Sequence, residues 1–369
     1  MTRSQKLTLS DKELDLLQKE LDALKKEITT KLGQEDIDYI LRLNKVADLS
    51  EIAGRSLLHF GLGPASFLAG IALMTNYYSM KGFLGHTVAH KCYEKLDGGE
   101  VMDIKNFSTR SAPISLEIWA KGHNRHHAHT DNERKDPDLN QNPKAFRLGN
   151  TFSWTPLHLG QIGALTIGFP LAMWFQAFYY NGLLDPLKSN DLRWFLKEDN
   201  LDAYFESVKN SIKDASNHVL VDYILFPLLA GPLAPRVLMG NIIAELIANT
   251  WIAYVTLGTH YGADPDTPFY NTDPQSRGEW YFRQIIGTTD IKLPKIFDHQ
   301  TVALNIHIAH HLFPTLPPNR LREITPQIQA ICKRYGIPFK EQTPWKATKN
   351  MARRTLRYSL PKAPKWLTA

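Results

Sequence analysis

Histidine spacing is the feature of this sequence that most directly suggests chemistry. Two histidines lie four positions apart in 86–90, and three lie at i, i+3 and i+4 in both 123–127 and 307–311. Residues at these spacings share one face of a helix, so each stretch would present its imidazoles together if it is helical. Eight of the 14 histidines belong to these clusters: His86, His90, His123, His126, His127, His307, His310 and His311.

Neutral imidazole is the commonest side-chain metal ligand, and it suits iron, zinc, copper and nickel. One ion takes about four to six ligands, so eight imidazoles indicate two ions rather than one. One pair of histidines could arise by chance, but three clusters of this kind argue against chance. Two irons held by imidazoles keep positions open to oxygen-derived ligands, and such a pair can activate O2 and remove hydrogen from an unactivated C–H bond. The clusters therefore predict a di-metal site for oxidative chemistry.

Five other residues are candidates for the same site. His260 ends an apolar run, where a polar group is costly unless it has a function, so we predict it as a further ligand rather than an ordinary interfacial histidine. Asp136 and Asp138 follow the second cluster and could accept hydrogen bonds from ligand imidazoles, or could simply form a polar turn. Glu245 and Asn249 lie a turn apart in an apolar segment, and could face the site or pack helices together.

Composition narrows the class of protein. The 369 residues suffice for one large or two small domains. The net charge of +6 suits a membrane protein with basic cytoplasmic segments, whereas no nucleic-acid module is recognisable and nucleic acid is not an expected partner. The two cysteines, Cys92 and Cys332, form no CxxC pair, so neither an iron–sulfur cluster nor a disulfide framework is encoded. The polar N-terminus lacks the apolar core of a secretory signal.

Long apolar runs must position the histidines. Ser56–Met80 contains no Asp, Glu, Lys or Arg, and its glycines predict one helix ending near Gly61 and a longer one over Ala65–His90. A helix of that length can cross a hydrocarbon core of about 30 Å. Thr151–Leu184 is also uncharged but rich in aromatics, and Tyr223–Ala263 reads as a helical hairpin.

Shared ligands must lie on one side of a bilayer, so an even number of crossings must separate the second and third clusters. The 223–263 hairpin supplies two crossings, and we expect none from 151–184. Basic residues around the clusters and at the C-terminus predict that this side is cytoplasmic. The predicted fold is all-α, a multi-pass helical membrane protein with a cytosolic helical cap that carries a di-metal histidine site.

Three regions are predicted along the chain. Residues 1–50 are polar and helical, because a capping-box pattern at Ser10–Glu13 precedes leucines at helical spacing. This helix is expected to be solvated or packed on the protein, with contact at a membrane surface as the alternative. Residues 51–345 form the domain that holds the site, and residues 346–369 form a basic tail that includes Lys365.

The histidine boxes HxxxH, HxxHH and HxxHH between apolar hairpins resemble those of the integral-membrane fatty acid desaturases, most closely the bacterial acyl-lipid or acyl-CoA enzymes. The resemblance covers roughly residues 30–345 and includes the sequences GTH at 258–260, RGEWYFRQ at 277–284, HHLFP at 310–314 and RYGIP at 334–338. Two departures are His307, where many relatives carry Gln, and Ala309, where many carry Glu. The segment after the first box, Lys91–Glu94, also differs from the common glycine-containing form.

The resemblance implies an O2-dependent fatty acyl desaturase with a non-haem centre of two irons, and it supports His260 as a ninth ligand. The acyl substrate would be carried on a lipid, CoA or an acyl-carrier protein. The sequence contains no His-Pro-Gly-Gly motif of cytochrome b5. Ferredoxin or a similar donor with an NAD(P)H reductase would therefore supply electrons. The implied location is a bacterial inner membrane, with the site on the cytoplasmic side.

Two other kinds of function are compatible with the histidine clusters. A fatty acyl or lipid hydroxylase, an acetylenase or a carotenoid oxygenase could use the same centre, because the outcome depends on where the substrate carbon lies. A metal-binding membrane transporter or a zinc hydrolase belongs to a different class. Transport is disfavoured because the clusters flank the apolar runs, whereas transporter sites usually lie near their midpoints.

Overall fold

The computed structural model describes residues 8–107, 110–140, 142, 144–189, 193–263 and 269–362. Within these ranges the regular secondary structure is helical apart from two strands of two residues each, which confirms the predicted all-α class. The α-helices are α1 (Asp11–Thr29), α2 (Gln34–Phe60), α3 (Gly63–Ala89), α4 (Leu116–Ala128), α5 (Gln161–Gly168), α6 (Ala172–Tyr180), α7 (Asp185–Lys188), α8 (Glu198–His218), α9 (Phe226–Leu229), α10 (Ala234–Tyr261), α11 (Arg277–Gly287), α12 (Lys295–Gln300), α13 (His307–Leu312), α14 (Pro318–Arg334) and α15 (Pro344–Ser359). The strands are β1 (Asp290–Ile291) and β2 (Glu341–Gln342), and a π-helix covers Val219–Leu225.

Helix α1 begins where the sequence predicts. The Ser10 hydroxyl accepts a hydrogen bond from the Glu13 amide, and the Glu13 carboxylate accepts one from the Ser10 amide at 2.8 Å. The leucine face of α1 packs into a buried cluster with residues of α11, α13 and α14. This helix is therefore packed on the protein, as the sequence analysis expected. It lies in the same buried cluster as α13, the helix that carries the third histidine cluster.

Helices α2 and α3 form a hairpin that turns at residues 61–62, close to the predicted break. Helix α10 packs against α3, so these three long helices form one layer. Gly70 on α3 and Gly240 on α10 both lie against the Leu58 side chain, where an added Cβ would come within 2.9 Å and 2.7 Å of it. Small residues at these points let the three backbones approach closely. The C-terminal ends of α3 and α10 then carry His86 and His260 toward the same end of the layer.

Among the described residues, length and apolar composition together mark one helix as able to cross a membrane. The helical segment Gly231–Tyr261 is long and apolar enough to cross a bilayer. Pro156–Gly168 and Ala172–Tyr180 meet the same criterion only together, and they are bent by 112° at the break between them. The expectation that residues 151–184 contribute no crossing stays a prediction. The multi-pass arrangement remains a prediction.

A network of buried charges joins α2, the π-helix and α10. The Arg55 guanidinium pairs with Glu51 at 2.8 Å and with Asp222 in the π-helix. The His218 ring lies between two carboxylates, 3.1 Å from Asp222 and 3.3 Å from Glu245. Both ring nitrogens therefore face acceptors, an arrangement that suits the protonated imidazolium. The members are Glu51, Arg55, Arg110, His218, Asp222 and Glu245.

Replacing Arg55 by methionine is expected to destabilise the fold strongly. The substitution keeps an aliphatic stem but leaves Asp222, which is fully buried, without its guanidinium partner. Breaking a buried ion pair from one side costs about 3–5 kcal/mol. Thermal unfolding of the purified protein in detergent measures the loss. Lys209→Met is the control, because Lys209 pairs with Glu206 on an exposed surface and should leave the midpoint unchanged. Equal midpoints for the two variants would contradict the assigned role of Arg55.

The C-terminal region is ordered by a short parallel pairing of β1 with β2. Helix α15 follows β2 directly and packs against α10 and α5. Part of the expected basic tail is therefore helical, and Lys365 lies outside the described residues. The expected boundary at residue 50 falls inside α2, which runs without interruption from residue 34 to residue 60.

Candidate metal centre

The structure brings together five imidazoles from α3, α4 and α13 in a set that we call site A. Their candidate ligand nitrogens all lie within 4.8 Å of one another. Four of the rings form a closed circuit of Nε2 atoms, with neighbouring Nε2 atoms 2.9–3.1 Å apart. Site A consists of His86, His90, His123, His127 and His310.

The remaining predicted histidines form a second set, which we call site B. Ligand nitrogens of His126, His260 and His311 lie within 4.8 Å of one another. His260 Nε2 is also 2.9 Å from His307 Nε2 and 3.2 Å from His126 Nε2. Site B therefore gathers residues from α4, α10 and α13, so that all nine histidines singled out in the sequence converge.

Sites A and B are direct neighbours. The rings of His127 in site A and His311 in site B stack with centroids 4.2 Å apart. Consecutive residues of α4, His126 and His127, point into different sets, and so do His310 and His311 of α13. Doubled histidines in the sequence thus serve two adjoining sites, as two ions close together would require.

The nitrogen spacing fits metal coordination better than hydrogen bonding. Ligands at right angles around one ion, each about 2.1 Å from it, lie about 3 Å from each other. A circuit of Nε2 atoms at that spacing cannot be satisfied by hydrogen bonds alone, since a neutral ring has one donor and one acceptor nitrogen. Within the described part of the chain, Nε2 of His90 and of His311 is buried without a hydrogen-bond partner. The set is compatible with a metal site.

Burial keeps most of these rings in the form that binds metals. Burial, together with the neighbouring imidazoles, holds the pKa of His123, His127 and His310 well below its usual range. Burial likewise lowers the pKa of His307 to about 3. These rings are therefore neutral at physiological pH, with a lone pair available for coordination.

Local contacts fix the helices that carry the rings. Helix α4 begins at Ser115, whose hydroxyl accepts a hydrogen bond from the Ile118 amide. Helix α13 is held at its start by Asp290, whose Oδ1 accepts a hydrogen bond from the Ile308 amide at 2.9 Å. His307 Nδ1 lies 3.1 Å from the Leu304 carbonyl oxygen, so its Nε2 is directed toward His260.

Two carboxylates support site B from outside, at the positions that the sequence suggested. Asp136 Oδ1 lies 2.9 Å from His126 Nδ1, and Asp138 Oδ2 lies 3.4 Å from the same nitrogen. Burial lowers the pKa of His126, but these carboxylates outweigh burial and raise it to about 9. An Nδ1–H donated to Asp136 orients Nε2 into site B and increases its basicity.

Sequence reasoning missed Gln284 of α11. Its Oε1 lies 2.8 Å from His311 Nδ1, so Gln284 does for His311 what Asp136 does for His126. Gln284 is the last residue of the RGEWYFRQ sequence at 277–284, and its place in that sequence was the signal that could have identified it. A lone glutamine 27 positions before its partner carries no local spacing pattern.

Glu245 and Asn249 were considered for the support of the site, and the structure places them elsewhere. Glu245 belongs to the charge network, where it contacts His218 and accepts a hydrogen bond from Trp174 Nε1 at 2.8 Å. Asn249 donates to the Pro170 carbonyl oxygen at 3.1 Å and so ties α10 to the start of α6. Fifteen residues separate Glu245 from His260, about 22 Å along a helix. Both residues therefore pack helices together, which is the second of the two roles that the sequence analysis considered for them.

Two adjoining apolar cavities lie beside the sites, and the first of them reaches a histidine of site A. The first, of about 60 Å³, includes His86 and Trp119 in its wall. The second, of about 220 Å³, runs between α5, α6 and α10 and reaches Asp138. The two cavities share Met173, Gln176, Ile252 and Thr256 in their linings. Together they offer an elongated apolar space beside both sites.

Trp119 connects the cavities to site A. Its indole stacks on the His123 ring with centroids 4.4 Å apart and an interplanar angle of 14°. Its Nε1 donates to Gln176 Oε1 at 2.9 Å. Because Gln176 lines both cavities, this hydrogen bond fixes the orientation of the indole and the shape of the cavity junction together.

The combination of an all-helical fold, a buried cluster of imidazoles and an adjoining apolar space defines a class of metal-binding oxidoreductases that act on lipids. The chain belongs to the fatty acid desaturase family, whose model matches residues 62–343. It is an enzyme of that family, and the family resemblance given by its histidine boxes is confirmed.

Two named relatives come from Mycobacterium tuberculosis. Each is an NADPH-dependent stearoyl-CoA 9-desaturase, from strain CDC 1551 / Oshkosh and from strain ATCC 25618 / H37Rv. Each is 26% identical to this chain over 341 residues, which cover 90% of this chain and 76% of the relative. The similarity therefore extends over the histidine boxes and the helices that connect them.

Proposed function

We propose that this protein is a membrane-bound, O2-dependent fatty acyl desaturase that inserts a C=C double bond into an acyl chain at a non-haem centre of two irons. One observation carries the proposal. In a chain of the desaturase family, nine buried imidazoles form two adjoining sets with nitrogens about 3 Å apart, directly beside an elongated apolar cavity.

Site A would hold one iron and site B the other, with Asp136, Asp138 and Gln284 orienting ligands from outside. The chemistry that two such irons supply is the reduction of O2 by two electrons from a donor, coupled to oxidation of the substrate. Two adjacent methylenes each lose one hydrogen, and with two further protons O2 becomes two molecules of water. Carboxylate ligands are not required for this assignment, since imidazole suits iron well.

The protein's own residues position the acyl chain. The cavity walls are mainly aliphatic and aromatic, so burial of each methylene contributes about 0.8 kcal/mol to binding. His86 lies in the wall of the first cavity, which would bring bound methylenes beside site A. The packed indole of Trp119 covers one side of His123 and keeps bulk water from the reacting segment.

A membrane location agrees with an acyl substrate. The Gly231–Tyr261 segment meets the requirement for one crossing. The predicted multi-pass arrangement would add a crossing by α3 and one by the first limb of the 223–263 hairpin. His260 lies at the C-terminal end of α10, so both sites would lie at one membrane surface. Basic residues around the histidine clusters and at the C-terminus support the cytoplasm as that side.

The acyl carrier and electron donor follow from the relatives and from the sequence. The relatives are named as acting on stearoyl-CoA with NADPH, which favours a CoA-linked substrate over an acyl-lipid or an acyl-carrier protein. We propose that NADPH electrons arrive through a reductase and a ferredoxin-like protein. A basic cytoplasmic face would attract an acidic donor, so turnover should fall as salt is raised.

Product analysis tests the proposed reaction. The iron-loaded enzyme in nanodiscs is supplied with stearoyl-CoA, NADPH, a reductase and ferredoxin, and acyl products are examined by mass spectrometry. A desaturase yields a product lighter by two hydrogens, whereas a hydroxylase yields one heavier by an oxygen. Metal analysis after anaerobic iron loading separates both from a zinc hydrolase, which needs neither O2 nor reductant. An oxygenated main product would refute desaturation.

Filling the junction of the two cavities should shift the chain-length preference. Met173 lines both cavities, so Met173→Trp would shorten the apolar space available to the acyl chain. Exclusion of two methylenes lowers kcat/KM for the longer substrate by about tenfold, while a shorter acyl-CoA is affected less. Competition between two acyl-CoA lengths measures the ratio. Met239→Trp is the matched control, because Met239 is exposed on α10 and should leave the ratio unchanged. An unchanged ratio in Met173→Trp would remove these cavities as the acyl site.

A further inference from the structure

Two segments of the cap emerge side by side next to α10. The pairing of β1 with β2 aligns Asp290 with Glu341, and the Lys292 amide donates to the Gln342 carbonyl oxygen at 2.8 Å. Helix α12 starts a few residues after β1, and α15 starts directly after β2. Residues 292–297 and 343–349 are therefore presented together on one edge of the cap.

This edge exposes large apolar side chains. Ile296 is 74% exposed, Trp345 is 76% exposed and Phe297 is 44% exposed. Such side chains lose favourable burial when they face water. Their position at the starts of two helices, each fixed by the β1–β2 pairing, means that they are held outward rather than left on a loose chain.

Aromatic residues of α10 continue the same surface. Trp251 stacks on Tyr254 with centroids 5.8 Å apart, and its ring lies 5.8 Å from that of Phe297. Tyr254 donates its hydroxyl to the Pro344 carbonyl oxygen at 2.8 Å, next to Trp345. These α10 residues lie two to three turns before His260, near one end of the helix with membrane-crossing length. Tryptophan and tyrosine side chains near the end of a membrane-crossing helix are typical of a membrane–water interface.

Lysines surround the apolar side chains. Lys292, Lys295, Lys346 and Lys349 are exposed on the same two segments. Lys292 pairs with Glu341 at 2.9 Å. No ion pair neutralises Lys295 or Lys346 within the part of the chain that the structure describes. We call Lys295, Ile296, Phe297, Trp345 and Lys346 the interfacial patch.

The geometry points to the interfacial patch as a contact surface for acidic phospholipids of the cytoplasmic leaflet. Ile296, Phe297 and Trp345 would insert at the level of the acyl–headgroup boundary, and Lys295 and Lys346 would contact anionic headgroups. An acidic soluble protein would match the charge of the lysines but would not provide an apolar environment that buries the apolar side chains. A neutral bilayer would cover the apolar side chains but would leave the charges unmatched. The inference rests on the membrane location given under the proposed function.

Brominated lipids test the assignment directly, because bromine quenches nearby indole fluorescence. The full-length protein is placed in phosphatidylcholine nanodiscs that contain an equal mole fraction of either brominated phosphatidylglycerol or brominated phosphatidylcholine. The chain has eight tryptophans, so the Trp345 signal is taken as the difference between wild type and Trp345→Phe. Each lysine near an acidic membrane surface enriches acidic lipid around it about fivefold at most. We therefore expect brominated phosphatidylglycerol to quench the Trp345 fluorescence at least about twice as strongly as brominated phosphatidylcholine does.

Charge variants give the control. Lys295→Gln with Lys346→Gln should equalise quenching by the two lipids, whereas Lys209→Gln with Lys213→Gln, on the exposed face of α8, should keep the difference. Equal quenching in the wild type would overturn the lipid preference. Absence of quenching by either brominated lipid would overturn the membrane contact of the patch. Iron content and product formation are measured on the same nanodiscs. If the lipid preference is observed without product formation, the proposed activity is wrong and the lipid contact is not.

Discussion

Replacing His310 by alanine is expected to abolish product formation. His310 Nε2 lies 2.9 Å from His86 Nε2 and 3.1 Å from His127 Nε2, in the middle of site A. The variant would open the closed circuit of nitrogens and leave a cavity where the ring had been. Loss of a partner outside the ligand set costs about 10–100-fold in metal affinity or activity, so loss of a ligand should cost at least about 100-fold. Iron content per protein and product yield are the measurements.

The control for this prediction is another histidine that lies away from the sites. His299 is exposed on α12, and among the described residues its side chain has only a long contact with Tyr39, so His299→Ala should retain both iron and activity. If His310→Ala kept its iron and its product yield, the ligand assignment would be wrong for site A. A fall in activity with unchanged iron content would place His310 in substrate binding instead.

Asp136→Asn is expected to lower iron retention and turnover by about 10–100-fold. The change keeps the size of the side chain but removes the negative charge that orients His126 at 2.9 Å. Asp136 Oδ2 also accepts a hydrogen bond from the Asp131 amide at 3.0 Å, and an amide NH2 in that place cannot accept it. The iron dissociation rate, measured by chelator capture, should rise together with the loss of turnover.

Asp273→Asn is the matched comparison for this substitution. Asp273 is exposed, pairs with Lys135 and His129, and contacts none of the nine site histidines among the residues described. Its loss should leave iron release at the wild-type rate. Equal iron release in wild type and Asp136→Asn would show that the carboxylate shapes the surrounding loop rather than His126.

The features that the sequence predicted well are those written in local spacing. Histidines three and four positions apart share a helix face, and α4 and α13 carry them in that way. The capping box at Ser10 and the break near Gly61 are also local signals, and both lie where they were expected. His260 was found because a polar group at the end of an apolar run is unusual, and the structure brings it into site B.

What the sequence did not reveal depends on partners far apart along the chain. Glu245 could not be assigned correctly because its neighbour His218 comes from another helix, and a buried carboxylate alone does not indicate which group neutralises it. Gln284 was missed for the same reason, since only tertiary packing brings α11 against His311. The division of nine histidines into sites A and B likewise follows from how α3, α4, α10 and α13 meet.

The ligand-bearing segments are widely separated in the chain, and this has a consequence for biogenesis. Residues from position 86 to position 311 must be assembled before either site is complete. Bound ions would then act as cross-links between distant helices, and they would stabilise only the finished fold. A ribosome-bound chain that ends before position 310 would lack ligands of both sites for the proposed irons. Iron supply to the cell should therefore set how much of the newly made chain survives proteolysis.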